Sequence, residues 1–481
     1  MKRTKIVATI SDKRCDVDFL QELYQAGMDV VRLNTAHQTL DDAMKVIRNV
    51  RAVSEKIPLL IDTKGPEVRT KQVTVPIEVE KGEVIYITGK EEVVSDEKLL
   101  HVSYENFTQD IKIGDKILVD DGDMEFIVQG KYEDRLEVMA TNPGFIKDKK
   151  SVNVPGASMK LQSLSEKDRR FIEFAIENHL DFIAHSFVRN KEDVLQIQEI
   201  LDQYKSDIKI IAKIENQEGV DNIDEILDHV YGVMVARGDL AIEIDAEKIP
   251  KIQRCIVTKC IESKKPVIIA TQMLHTMIEH PRPTRAEVSD IANAIFMGTD
   301  AIMLSGETAY GSYPVEAVEV MTKVAEANEL TTPPDSGRSL VRINNEITAA
   351  LARVAVKTTT MLPIKAIVVD TLSGRTARYL SAFRGALPVY ARCYNPKVMR
   401  ELALSFGIRP YHTEKPTSRD EFIRDIPDVL LKAGYQEEDY ILVIGGSFGY
   451  VRGASFMEIC KISDITVSYT HLRAHETLSD L

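Results

Sequence analysis

The chain contains no tryptophan, so no loop in it can lay an indole against a ligand. Cysteine is scarce as well. The five residues Cys15, Cys255, Cys260, Cys393 and Cys460 fall at no metal-ligand spacing, and an odd, scattered set reads as reduced thiols rather than a disulfide framework. No apolar run approaches the roughly 18 residues needed to cross a bilayer, and the N-terminus leads directly into a strand, so neither a membrane span nor a leader is expected. There is no excess of basic residues. The net charge is -13 with both signs spread along the chain, which argues against a nucleic-acid partner and bears on solubility instead. The expectation is a soluble, cytoplasmic protein.

What the chain has is a series of apolar strands that finish in polar residues. At 481 residues it is too long for one core and should hold two to four domains. Lys209 to Glu215 (KIIAKIE) puts Lys213 and Glu215 two residues apart on a strand, where both face one way and Ile214 turns away. Gly232 to Ala236 runs into Arg237-Gly238-Asp239, read the same way as a cation and a carboxylate on one face. Arg32 and Asn34 repeat the pairing at the end of Asp29 to Leu33. Polar residues at apolar strand ends describe the C-terminal rim of a parallel barrel, and carboxylates with cations there suggest a metal and an anionic substrate.

Short β-branched runs alternate with amphipathic segments from residue 5: Lys5 to Ile10, a helix from Asp16 to Ala26, Asp29 to Leu33, a helix from Leu40 to Val53, and Pro58 to Thr63. This pattern predicts a parallel sheet. Residues 67–157 change texture, with turn signals at Lys81-Gly82, Ile113-Gly114-Asp115 and Asp120-Asp121-Gly122 and no helical periodicity, and read as a β domain inserted after strand three. Alternation resumes with Ser165 as a helix cap. Strands follow at Asp181 to Ser186, Lys209 to Ile214, Val230 to Ala236, Pro266 to Thr271 and Thr299 to Leu304, which with the first three make eight. The predicted architecture is a (β/α)8 TIM barrel (1–66 and 158–330) interrupted by a β-barrel lid (67–157). A linker at 331–339 and a C-terminal α/β unit (340–467), with strands at Ala366 to Asp370, Pro388 to Ala391 and Ile441 to Ile444, follow. Residues 468–481 close no periodic element and read as an extraneous tail.

Ten motifs occur in order along this frame: TKIVATI, VRLN (31–34), DTKGPEVRT (62–70), VNVPG (152–156), SEKD (165–168), KIEN (213–216), ARGDLAIEI (236–244), ATQMLHTM (270–277), PTRAEVSDIANAI (283–295) and MLSGETAYG (303–311). In these segments the chain, over about residues 4–467, resembles the pyruvate kinase family. The resemblance implies transfer of the phosphoryl group of phosphoenolpyruvate to ADP, giving pyruvate and ATP. It implies Glu215 and Asp239 as ligands of magnesium or manganese, and Lys213 as the cation that steadies the moving phosphoryl group. Arg32 corresponds to a phosphate contact, and Gly238, Asp239 and Thr271 correspond to substrate contacts, Thr271 near the methylene carbon that is protonated. Asn34, Asp62 and Thr63 would hold potassium; Asn34, Arg69 and Lys150 would contact the nucleotide. Thr371, Ser373, Gly374, Arg375 and Thr376 correspond to a loop that takes the phosphate of a sugar-phosphate effector. The family's usual assembly is a homotetramer.

Without the motifs, each of these residues has a plainer reading. The carboxylates pass as solvated rim charges, Lys213 as a snorkelling strand-end lysine, Thr271 as a turn residue, Arg69 and Lys150 as surface charges, and the 371–376 loop as a serine-threonine helix cap. The chain also departs from the family. Ala36 stands where a serine normally supplies a potassium ligand, leaving Thr35 or water to substitute. The first loop reads Ile10-Ser11-Asp12-Lys13, and His185 precedes Ser186 where a small residue is usual. Gly445 to Gly449 aligns with the family's effector loop but lacks its tryptophan and carries Phe448. Glu67 is expected to remain an unneutralised carboxylate beside the phosphate site. Two other classes fit parts of the pattern. A phosphoenolpyruvate lyase or mutase would need no lid carrying Lys150, and a catalytically dead sugar-phosphate sensor would be expected to have lost Lys213, Glu215 or Asp239.

Overall fold

The structure is a computed structural model and describes residues 2–90, 94–157, 159–329, 339–416, 419–446 and 453–465. Nearly all of the predicted linker, Ser447 to Gly449 of the glycine-rich segment, and the 468–481 tail lie outside the described residues.

Eight parallel strands close into a barrel: β1 (Lys5–Thr9), β2 (Val30–Asn34), β3 (Leu59–Asp62), β4 (Phe182–His185), β5 (Lys209–Ile214), β6 (Gly232–Ala236), β7 (Val267–Ala270) and β8 (Ala301–Leu304). Each pairs with its sequence neighbours, and β8 returns to β1. Alternate residues divide into two cores, as the strand period requires. Val7, Val30, Leu60, Phe182, Ala184, Ile211, Met234 and Ile268 pack together inside the barrel. Their neighbours Ile6, Val31, Ile61, Ile183, Ala212 and Val233 pack outward on the helices. The predicted helix starts hold where the caps are polar. Asp16 accepts from Phe19 N ahead of Val17–Ala26, and Thr39 and Ser165 form reciprocal capping boxes with Asp42 and Asp168.

The segment between β3 and β4 builds a seven-stranded sheet and a two-stranded ribbon around a core that includes Ile85, Leu100, Phe126 and Val138. It is not purely strand: Phe107–Asp110 forms one helical turn, too short to leave a periodic signal. Beyond residue 339 a five-stranded sheet is ordered Ile408–His412, Val389–Cys393, Ile364–Thr371, Tyr440–Gly446, Ala454–Lys461, with the last strand antiparallel. The first and last of these were not predicted. Buried ion pairs tie this sheet's layer to the barrel base, Arg384 Nη2 to Asp300 Oδ2 at 2.6 Å and Arg400 Nε to Asp181 Oδ1 at 2.7 Å.

Candidate active site

The inward parity of the barrel decides what stands at its C-terminal mouth. Two residues beyond Val30, Leu60, Ala184 and Ile211 come Arg32, Asp62, Ser186 and Lys213, so the apolar interior layer is capped by a polar one built from four adjacent strands. Its members are mutually bonded. Arg32 Nε donates to Asp62 Oδ2 at 2.7 Å, and Arg32 Nη1 donates to Thr9 Oγ1 at 2.9 Å. Lys213 Nζ donates to Ser186 Oγ at 2.8 Å and lies 3.1 Å from Asp62 Oδ1 and 2.9 Å from Glu215 Oε1. The predicted same-face pairing of Lys213 and Glu215 is thus observed as an ion pair.

Burial alone would raise the Asp62 pKa, but Arg32 and Lys213 outweigh it and hold the carboxyl below its ordinary value. Burial likewise works against the Lys213 ammonium, yet Asp62, Glu215 and Asp239 reverse the sign and raise its pKa, so it is protonated at neutral pH. For Glu215, burial pushes the carboxyl up against the opposing charge of Lys213, and Asp239 adds to the rise. These tendencies compete, and the short Nζ to Oε1 distance favours the charged pair. Glu215 Oε2 accepts from Phe187 N at 2.7 Å, while Oε1 is buried against the Lys213 ammonium. A buried carboxylate close enough to feel a second one, Asp239, fits a divalent cation. Among the described residues no group of three or more His, Cys, Asp or Glu side chains is placed to hold a metal. Glu215 and Asp239 are the two carboxylates that could hold such an ion, with the remaining coordination positions left to substrate oxygens and water.

Arg237 and Asp239 do not share a face as the sequence suggested. The strand stops at Ala236 and Arg237–Glu243 is helical, so residues two apart diverge. Arg237 turns away and clamps the loop after β7, with its Nη1 2.6 Å from Asp290 Oδ2 and its Nη2 donating to Thr271 O at 2.7 Å. Thr271 is held at φ 67°, an uncommon setting for a β-branched residue. Its Oγ1 accepts from Gly238 N at 2.7 Å and donates to Ala270 O at 2.7 Å, so the Gly238 N–H that was expected to face substrate is engaged by Thr271. Ser186 joins the polar layer though sequence reading did not place it among the site residues, and Arg237, read as a rim cation, is a loop clamp instead. Strand parity would have found Ser186, whereas nothing local marks Arg237 as a loop clamp.

Around the expected potassium ligands, Asn34 Oδ1 accepts from Ala36 N at 3.1 Å and Thr35 Oγ1 donates to Asp62 O at 2.8 Å. Thr63 Oγ1 accepts from Ser186 N at 3.0 Å, and Thr63 O accepts from Ser186 Oγ at 2.6 Å. Glu67 is not the free carboxylate that was expected. Both Nε and Nη2 of Arg69 donate to its Oε2, at 2.9 and 2.6 Å, because the two side chains lie on one side of an extended segment. Lys150 Nζ bonds Asp120 Oδ1 at 2.8 Å, so Arg69 and Lys150 are both engaged within or at the root of the lid. Glu307 accepts from Leu274 N and Ser305 N, a structural tie between the last two barrel loops. In the C-terminal sheet, Gly374 at φ 76° occupies the cap position of Arg375–Ala382 with no side-chain cap bond, so the loop is not an ordinary serine-threonine cap.

His185 has the opposite parity to Ser186 and is fully buried, with no hydrogen bond to either ring nitrogen. Burial depresses its pKa to about 4; Asp193 and Asp168 oppose that shift, and Lys213 and Arg189 add to it. The unfolded chain therefore binds a proton that the folded chain refuses between about pH 6.5 and 4, and stability falls as pH drops through this window by up to about 3 kcal/mol. His185→Leu should flatten the loss of melting temperature between pH 7 and 4.5. An unchanged pH dependence of melting would show that other groups carry it.

A closed parallel barrel with a charged, interlinked rim defines the class as a (β/α)8 enzyme acting on an anionic substrate. Comparison with known proteins narrows this. The family model described as pyruvate kinase, barrel domain, matches residues 1–318, and that described as pyruvate kinase, alpha/beta domain, matches residues 349–460. Pyruvate kinase of Borreliella burgdorferi is 47% identical over 469 residues, covering 96% of this chain and 98% of the relative. That of Bacillus licheniformis is 42% identical, covering 97% of this chain and 81% of the relative. A crystal structure of a pyruvate kinase from Cryptosporidium parvum superposes with a TM-score of 0.90 at 33% identity, covering 96% of both chains. The chain belongs to the pyruvate kinase family and is a transferase acting on phosphoenolpyruvate and ADP. Among the described residues no helix is long and apolar enough to cross a membrane.

Proposed function

We propose that phosphoryl transfer takes place over the polar layer capping β2 to β5, and that Lys213 is its central cation. The observation that carries this is the position of Nζ, within 3.1 Å of Ser186, Asp62 and Glu215 and on the inward face of the mouth. Phosphoryl transfer asks the protein mainly for positioning and for fixed positive charge where negative charge moves. Arg32 and Lys213 supply that charge, and Asp62 holds both without being free to leave. Magnesium or manganese held by Glu215 and Asp239 would supply further charge neutralisation at the phosphoryl oxygens. Thr271, locked by Gly238 N and Arg237, presents its hydroxyl at the end of β7, where the family's threonine stands near the carbon that accepts a proton. Arg69 and Lys150 would reach nucleotide phosphates once the lid swings over the barrel. The Arg69 and Lys150 ion pairs with Glu67 and Asp120 are surface contacts of low worth that can exchange for phosphate. A coupled assay of pyruvate formation from phosphoenolpyruvate and ADP, with each substrate and magnesium omitted in turn, tests the reading; formation without ADP would replace it by a lyase or hydrolase.

The potassium site is proposed on Asn34, Asp62 and Thr63. Ala36 removes one hydroxyl, worth about 1 kcal/mol as a net polar contact, and the Thr35 hydroxyl keeps lone pairs available while donating to Asp62 O. Ala36→Ser should lower the potassium concentration for half activation by up to about fivefold. If the value does not move, Thr35 or water already completes the shell. A phosphorylated-sugar effector is proposed at Thr371, Ser373, Gly374, Arg375 and Thr376, where a left-handed glycine leads into a helix start whose first N–H groups lack intrahelical acceptors. Replacing Ser373 and Thr376 with Asp should abolish activation by sugar phosphates and leave unactivated turnover intact. Persistence of activation by every sugar phosphate that stimulates the parent would remove the loop from the effector site. A homotetramer working in the cytoplasm completes the proposal.

A further inference from the structure

A cavity of about 390 Å³ lies at the root of the lid, walled by the two segments that join the lid to the barrel and by the barrel loops after β4, β5 and β6. Its volume falls in the range of small-molecule sites. Val68, Val152, Met159 and Leu161 give it apolar walls. The polar groups are unbalanced. Arg189 spends its donors on Asp193, Met159 O and Leu161 O, Asn222 donates to Arg189 O, and Gln217 donates to Asp221. Acceptors are left over: Asn153 Oδ1 is buried with no hydrogen bond, and the half-buried Glu243 accepts from Gly156 and Asn153, burial pushing its pKa up. An occupant must therefore bring hydrogen-bond donors, is favoured by positive charge, and must be partly apolar.

The cavity also touches the transfer centre through one residue. Phe187 lines it, sits at φ 54°, and uses its N–H to hold Glu215 Oε2 at 2.7 Å. Val152 N donates to Val68 O at 2.8 Å, so the two lid-bearing segments are hydrogen-bonded to each other on its other wall. We propose that this cavity is a ligand site separate from the phosphoryl-transfer centre, suited in size and polarity to a small organic cation of the amidinium or protonated aminoheterocycle class, whose occupancy braces the lid root and changes how Glu215 holds its metal. The effect on the metal rests on the metal-site reading given above; binding itself does not.

Benzamidine, a protonated aromatic amidine, is the probe, titrated by calorimetry and ligand-observed NMR into the full-length protein and into Glu243→Gln and Ala157→Leu, each checked by thermal melting. Saturable binding to the parent is expected. It should be about tenfold weaker in Glu243→Gln, which removes the charge, and weaker again in Ala157→Leu, which fills the space. Phosphoenolpyruvate and ADP should not displace the probe. No saturable binding, equal affinity in all three proteins, or displacement by substrate would each overturn the site. With saturating benzamidine the magnesium concentration for half-maximal turnover should shift; an unmoved titration with binding intact would overturn the link to Glu215.

Discussion

Lys213→Met is expected to lower turnover by more than about a hundredfold, corresponding to a barrier raised by about 3 kcal/mol or more, while binding of phosphoenolpyruvate largely survives. Methionine keeps the length and apolar stem of the side chain but removes the only ammonium that contacts Ser186, Asp62 and Glu215 together. Arg32 remains on Asp62, so phosphate is still attracted to the rim, and what is lost is charge that matters most once the phosphoryl group is in flight. The variant also leaves two buried carboxylates with one fewer counter-ion, so its melting temperature must be measured beside its kinetics. A folded Lys213→Met protein with turnover near the parent's would remove Lys213 from the chemistry.

Much of this site was legible because strand parity is strict. Once Val30, Leu60 and Ile211 are read as interior, Arg32, Asp62 and Lys213 follow on the same face two residues later, and only Ser186, reached by the same count from Ala184, was passed over. Parity failed where the backbone changed type. Arg237 and Asp239 were read as strand neighbours, but the chain turns helical at that point, so Arg237 serves Asp290 and Thr271 instead. The two missed strands have their own reasons. Ile408–His412 contains Pro410, which a sheet tolerates only where its missing N–H is not needed, and this strand lies at the sheet's edge. Ala454–Lys461, at the other edge, shows no clean alternation of buried and exposed residues. The state of Glu67 was not readable at all, since its pairing with Arg69 depends on side-chain torsions and on where the lid stands.

Glu215→Gln is expected to raise the magnesium requirement by about tenfold or more, from the loss of a charged contact worth about 1.5–3 kcal/mol. The substitution keeps the shape and leaves an oxygen able to accept from Phe187 N, so the loop after β4 should stay in place. What disappears is the negative charge on the buried oxygen that faces the Lys213 ammonium, the one positioned for a cation. Because Asp239 is then the sole carboxylate of the pair, saturating magnesium should restore part of the turnover but not all of it. Lys213 loses one of its two closest carboxylates at the same time, so phosphoenolpyruvate affinity measured without metal should hold or rise, since less negative charge opposes the substrate. A magnesium titration superimposable on the parent's would take Glu215 out of the metal site and leave it as the ion-pair partner of Lys213 alone. A shifted titration with weakened metal-free phosphoenolpyruvate binding would mean instead that Glu215 works mainly by holding Phe187 and the loop that carries it.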